Sequence, residues 1–456
     1  MTRRRPSRRP SRRLALSVGL VTASLVAAAT ALAAFGDLTP AGCVGDNDTG
    51  TDVCSESSDG LADAISVVTS ADGNSVYAAA RGDDAVVRFD RDPVDGTLTP
   101  KGCIDDNDPP SGPDTCGRSA DGLDGLLSVA VSPDGESVYT AGNSNDAIVR
   151  FNRKPSGQLV PKGCVDDPTT GPELCATTAQ GLGDASAVAV SPDGTAVYAV
   201  SSQDSSIVRF NRKPSGALVP KGCITQAGGV DICGGEFAPG LTGSTAVTVS
   251  PDGTSVYVAG TSNDAVAVFK RNPSSGVLTP RACVGDNDSG GAACAQTTDG
   301  LDGIQSIAVS PDGASVYAAG SLDDAVVRLN RNPANGALTP KGCIDDNDIG
   351  SGPDACATSA DGLNGAAGVA VSADGRSVYV GSRLDDTVAI FRRSTASGKL
   401  TAEGCVGDNT SATEPCSVLS EALDGPTAVA LSGDASVYVT GIDGDSVAAF
   451  SRDTLP

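Results

Sequence analysis

The chain has 456 residues, with 56 Asp plus Glu against 32 Lys plus Arg, no histidine, and a net charge of −24. That balance argues against nucleic acid and anionic membrane surfaces as partners. The missing histidine excludes Ser-His catalysis and imidazole proton transfer near neutral pH.

Seven arginines (Arg3, Arg4, Arg5, Arg8, Arg9, Arg12, Arg13) open the chain, and an apolar run from Leu14 to Ala34 follows, ending in Ala31-Leu32-Ala33. A basic head, an apolar stretch and an A-x-A end predict a secretory signal over residues 1–34 and a mature domain over 35–456. The run is long enough to span a bilayer, so an uncleaved anchor is the alternative and the one route to a membrane. Loss of the seven arginines lowers the net charge by seven, to −31. The expected location is secreted, outside the cell.

Fourteen cysteines fall in seven close couples: Cys43 and Cys54, Cys103 and Cys116, Cys164 and Cys175, Cys223 and Cys233, Cys283 and Cys294, Cys343 and Cys356, Cys405 and Cys416. In an exported chain this predicts a disulfide within each couple. Zinc is the rival reading, but there is no CxxC pair and no histidine. Closing a loop of this size contributes about 2–4 kcal/mol.

The couples recur every 59 to 62 residues, which makes the chain a repeat protein. One unit shows the pattern: Leu126–Ser132, Ser137–Ala141, Ala147–Arg153 and Gln158–Lys162, separated by Pro-Asp-Gly, Asn-Ser-Asn-Asp and Pro-Ser-Gly turns. Four short β runs split by such turns form an antiparallel meander, with the proline on its outermost strand. Seven such units predict an all-β, seven-bladed β-propeller with four strands per blade. The C-terminal unit stops after its third strand, Ser446–Ser451, while the missing GxLTPxGC text stands at Gly36–Cys43. The N-terminal strand is therefore expected to complete the last blade and close the ring, leaving no exposed edge.

The SPDG turn followed by SVY, a third strand ending FxR, and then PxxGxLTP resembles the lactonase family of seven-bladed propellers and the related YVTN repeat family. The text reads Ser250-Pro251-Asp252-Gly253 with Ser255-Val256-Tyr257, and Phe89-Asp90-Arg91-Asp92-Pro93 with Gly96-Thr97-Leu98-Thr99-Pro100. The resemblance covers the whole mature chain. It implies the propeller fold and an activity based on charged groups, histidine among them, in a funnel near the axis. No such histidine constellation maps onto this chain, and the cysteine couples depart from the family's usual pattern.

All seven tyrosines (77, 139, 198, 257, 317, 379, 438) belong to SVY-type second strands, so a repeated structural role accounts for them. In a meander, the connector after each outer strand shares a face with the turn between the second and third strands. That face gathers Asp-Asn-Asp clusters with turn acids such as Asp83 and Asp84. Read as ligands, Asp46, Asp48, Asp105, Asp106, Asp108, Asp286, Asp288, Asp345, Asp346 and Asp348 offer oxygens to Ca2+, the one cofactor the sequence suggests. Read as structure, they belong to solvated, stapled connectors. The fourth connector, CITQAGGVDIC, keeps its cysteines and loses its acids, which favours the structural reading. Asp124, Thr242, Asp302, Asn364 and Asp424, at the starts of inner strands, pose the same choice between an axial cation and turn chemistry.

Arg81, Arg118 and Arg383 break the acidic pattern, and Glu236 and Phe237 occupy the divergent fourth connector; these five are the candidate recognition residues. The expected role leans away from catalysis. It is a monomeric, disulfide-stapled platform, calcium-assisted, that binds an extracellular protein or a small-molecule ligand. The alternative is a lactonase-like hydrolase that works without histidine.

Overall fold

Small residues at one end of each repeat and large ones at the other make each unit a wedge. In the computed structural model the wedges form seven sheets arranged as a closed propeller. It describes residues 1–2, 36–50, 53–107, 116–171, 175–227, 232–288, 294–347, 356–412, 415–433 and 435–454. The predicted signal therefore lies outside the described residues, apart from Met1 and Thr2. One compact unit spans Ala34–Pro456. No helix among the described residues is long and apolar enough to cross a membrane.

Blade 1 runs from axis to rim as Ala64–Thr69, Ser75–Ala80, Ala85–Arg91 and Leu98–Asp106. Blades 2 to 7 start their inner strands at Leu126, Ala185, Ser244, Ile304, Ala366 and Pro426. Every second strand is buried along its whole length, which is why it reads as a near-continuous run of small and apolar residues. The core lies between blades. Ala64, Val76, Val87, Phe89 and Leu98 of blade 1 meet Tyr438 and Val447 of blade 7, and an equivalent cluster fills each other junction. Each fully buried Val, Leu or Phe contributes about 1.5–3 kcal/mol.

The ring closes as the sequence predicts. Leu38–Asp46 is the outer strand of blade 7, with Leu38 opposite Arg452 and Val44 opposite Val447. All seven expected disulfides are present. The sheets exceed the four expected strands by a short return strand that runs parallel to the outer one. In blade 1, Ser119 and Ala120 lie opposite Asp105 and Asp106. The Cys103–Cys116 staple folds the connector back and so brings this return strand beside its partner. Blade 4 differs again: its outer strand is broken into Leu278–Pro280 and Val284–Asp286. Ala282 stands there where blades 1 and 5 have Gly102 and Gly342 at φ +92°, a conformation that alanine avoids.

A ring of arginine clasps ties the blades together on the face of the SPDG turns. Arg331 of blade 5 donates from Nε to Tyr257 Oη (2.9 Å) and from Nη2 to Asp252 (2.8 Å), both of blade 4. Tyr257 in turn donates to the carbonyl of Gly336, in the turn before the outer strand of blade 5 (2.8 Å). The same Arg–Tyr bond joins Arg91 to Tyr438, Arg153 to Tyr77, Arg212 to Tyr139, Arg271 to Tyr198, Arg393 to Tyr317 and Arg452 to Tyr379. This satisfies every tyrosine hydroxyl in the core and accounts for the repeated Tyr and Arg. Burial opposes ionisation of Asp193 and Asp252, but hydrogen bonds from serine, threonine and the clasping arginine outweigh it and hold both near about 2.

Candidate functional site

The opposite face carries the stapled connectors, and there the Asp-Asn-Asp clusters serve the backbone. Asp46 accepts from the amides of Asp48 (2.9 Å) and Leu61 (2.9 Å). Asp106, Asp286 and Asp346 likewise accept from Leu123 (2.6 Å), Leu301 (3.0 Å) and Leu363 (2.8 Å), the leucine that leads into the next inner strand. Asp167 and Asp408 cap Leu182 and Leu423, and in the divergent connector Gln226 Oε1 caps Leu241. The fourth connector thus keeps the bond with an amide in place of a carboxylate. Asp105 and Asp345 accept from the amides of Cys116 and Cys356. Asp48 and Asp288 are exposed, and Asp108 and Asp348 lie outside the described residues. No group of three or more His, Cys, Asp or Glu side chains among the described residues is placed to hold a metal ion.

A second clasp ring lies nearer the axis. In each turn between second and third strands one residue adopts φ between 48° and 55°: Asp84, Asp146, Ser205, Asp264, Asp324, Asp386 and Asp445. Aspartate tolerates this left-handed conformation better than most residues. Each side chain accepts from a backbone amide at the start of the next blade's inner strand, as Asp84 does from Gly125 (2.7 Å), Asp386 from Gly425 (2.8 Å) and Asp445 from Asp63 (2.6 Å). Within a blade, Asn145, Asn263, Asp323 and Asp385 cap the amides of Asp124, Thr242, Asp302 and Asn364. The backbone amides of four of the five inner-strand starts are thus held by the blade's own turn. Burial, with the neighbouring charges of Asp286 and Asp302, pushes the Asp323 carboxyl up to about 6. Burial and Asp264 raise Asp302 as well.

Inside this ring lies an axial cavity of about 590 Å³, lined by inner strands of all seven blades. That volume suits a small organic ligand. Every inner strand carries a β-bulge at its second residue, and the bulge places one residue per blade on the cavity wall: Ile65, Leu127, Ser186, Thr245, Gln305, Ala367 and Thr427. Bulges re-aim side chains at functional sites in this way. The sequence reading missed these residues. Aligning the seven inner strands exposes them as a variable slot followed first by a small residue (Ser, Ala or Gly) and then by a repeated Val or Ile.

Arg81 and Arg383 are the charged side chains among the described lining residues. They stand at the mouth, in the turns of blades 1 and 6. Arg81 pairs with Asp63 (2.9 Å) and Arg383 with Asp443 of blade 7 (2.8 Å), and all four side chains are about half exposed. The bond to Asp443, with the charges of Asp63 and Asp386, holds the Arg383 guanidinium above the ordinary arginine range. The two pairs flank the blade 7 turn, whose Asp445 caps the Asp63 amide. The other three candidates sit elsewhere. Arg118 lies just before the return strand of blade 1 and donates to Leu159 O (3.1 Å), and Phe237 lies in the return strand of blade 3 with Glu236 beside it. The five therefore divide between mouth and rim.

The family model of the lactonase seven-bladed β-propellers matches residues 164–284 and 295–453. The chain belongs to that family. A putative 6-phosphogluconolactonase from Bacteroides fragilis shares 21% identity over 74% of this chain and 82% of its own, with a TM-score of 0.52. The periplasmic gluconolactonase PpgL of Pseudomonas aeruginosa shares 16% over 82% and 98%, with a TM-score of 0.55. Kuenenia stuttgartiensis hydrazine synthase shares 16% over 86% and 96%, at 0.50, so likeness at this level marks the fold alone. No curated protein matches the chain. The seven disulfides suit an oxidising compartment, outside the cell or in a periplasm.

Proposed function

We propose that this lactonase-family propeller is an exported lactone hydrolase that works at the mouth of its axial cavity. The observation that carries the reading is that Arg81 and Arg383, the charged side chains among the described lining residues, are each coupled to a carboxylate at the mouth, Asp63 and Asp443. In this reading Asp63 or Asp443 takes a proton from water as the water oxygen attacks the lactone carbonyl. A guanidinium receives the developing oxyanion. The ring C–O bond then breaks, the proton passes to the leaving alkoxide, and a hydroxy acid results. Carboxylate bases and cationic oxyanion donors need no histidine.

The test is lactone opening by the mature chain, residues 35–456, followed in a pH-stat. Arg81→Gln and Arg383→Gln are expected to lower kcat by about 10²–10³, while Arg118→Gln leaves it unchanged. Ring opening no faster than in buffer, or full activity in both mouth variants, overturns the reading. A second reading, a non-enzymatic binding platform, draws on the cavity wall, where no carboxylate is found among the described lining residues. It predicts that the hydroxy acid binds at the mouth and that no lactone turns over.

A further inference from the structure

We propose that the ligand of the axial mouth is an amphiphile: a lactone, or its hydroxy-acid product, that carries an alkyl chain of several carbons in place of a polyhydroxylated ring. The inference deepens the hydrolase reading and rests on it only for the head group.

The second residue of the turn between second and third strands is Gly82, Ser144, Gln203, Ser262, Leu322, Leu384 and Asp443 around the ring. Two adjacent blades thus carry leucine where the other five carry small or polar residues. The repeat has no packing use for them, since Leu322 is 71% exposed and Leu384 62%. Both line the cavity. As Ser144 and Ser262 do over Gly125 and Gly243 in blades 2 and 4, Leu322 Cγ lies 2.7 Å from where a Cβ on Gly303 would stand, and Leu384 Cγ 2.8 Å from that of Gly365. Each leucine is laid over a glycine at the start of its own inner strand. The exposed apolar strip therefore spans blades 5 and 6 beside Arg383, while Ile442 of blade 7, also in the lining, is buried.

Part of the polar lining is already engaged by the backbone. Ser186 already donates to Ser244 O (2.5 Å), Thr427 to Ile65 O (3.2 Å), and Ser321 to Gly303 O (2.9 Å). Their protons are committed to backbone carbonyls, while Ser66, Ser128, Gln305 and Ser306 stay in the lining beside the two arginines. Deeper in, Val188, Val247, Ile307, Val369 and Val429 offer apolar wall. A head bound at the arginines and a chain lying along the leucines satisfies both chemistries at once.

Calorimetry with three probes tests this: 4-hydroxydecanoate, 4-hydroxyhexanoate and gluconate, which share a carboxylate. The ten-carbon probe is expected to bind about tenfold tighter than the six-carbon one, from four half-buried methylenes. In Leu322→Ser/Leu384→Ser the gap is expected to close, with the melting temperature unchanged because both leucines are exposed. Arg81→Gln/Arg383→Gln is expected to weaken both. Gluconate binding as tightly as 4-hydroxydecanoate, a chain-length gap that survives in the serine variant, or no binding of any probe overturns the proposal. If the probes behave as expected and no lactone is opened, the hydrolase reading fails and the amphiphile site stands. If gluconolactone is opened and γ-decalactone neither binds nor reacts, the hydrolase stands and the amphiphile site fails.

Discussion

On one face of the ring, arginines from the third strands reach across to the tyrosines and SPDG aspartates of the neighbouring blade. On the other face the same junctions are bridged by aspartates that accept from backbone amides. The first arrangement neutralises its charges in place: Arg331 has no exposed side-chain surface and holds Tyr257, Asp252 and Gly313 together. The second concentrates negative charge and sets Arg81 and Arg383, each paired with a half-exposed aspartate, at the axial mouth. The clasped face is therefore occupied by its own structure, and the acidic face is where a ligand finds groups outside the repeat.

The comparison breaks most readily at a buried arginine. Arg331→Ala removes the arginine from Asp252 and from the Tyr257 hydroxyl and is expected to cost about 2–3 kcal/mol in urea unfolding. An effect below 1 kcal/mol would mean that this face is not held by its ion pairs. On the acidic face, Cys343→Ser/Cys356→Ser is expected to cost about 3 kcal/mol by releasing one connector. Removal of a single amide cap, Asp386→Ala, is expected to cost about 1–2 kcal/mol, with Asp386→Asn close to wild type because asparagine keeps both the acceptor and the left-handed turn.

The smallest expected effect separates the faces by sign. A carboxyl raised from 3.8 to about 6, as in Asp323, favours the protonated fold. Its penalty is full at neutral pH and is relieved as pH falls through about 6 toward 3.8. A carboxyl held at about 2, as in Asp193 and Asp252, stabilises above 3.8 and loses that contribution progressively as pH falls from 3.8 through about 2. The melting temperature is therefore expected to rise by a few degrees between pH 7 and pH 5, and to fall only in strong acid. Asp323→Asn should raise it at pH 7 and flatten the rise. A monotonic fall from pH 7 downward would contradict this assignment.

Local, repeated features were legible in the sequence. Seven cysteine couples, seven SVY tyrosines and the Gly36–Cys43 text are each set by short-range pattern, and the structure pairs them accordingly. What depended on cross-chain geometry was not. The return strand pairs through only two residues at Asp105–Ser119 and Asp106–Ala120, too short for any periodicity. Asp46 and Asp286 have the composition of hard-cation ligands, and nothing in that composition says that the amides of Leu61 and Leu301 face them. Arg81 and Arg383 break the repeat pattern just as Arg118, Glu236 and Phe237 do. Only the ring geometry separates mouth from rim.

The most direct test of the account is a crystal structure of residues 35–456 soaked with 4-hydroxydecanoate. The account predicts the carboxylate within hydrogen-bond distance of the Arg81 or Arg383 guanidinium, with the chain against Leu322 and Leu384. Ligand density at the Arg118 rim or on the arginine-clasped face, with an empty axial mouth, would contradict it.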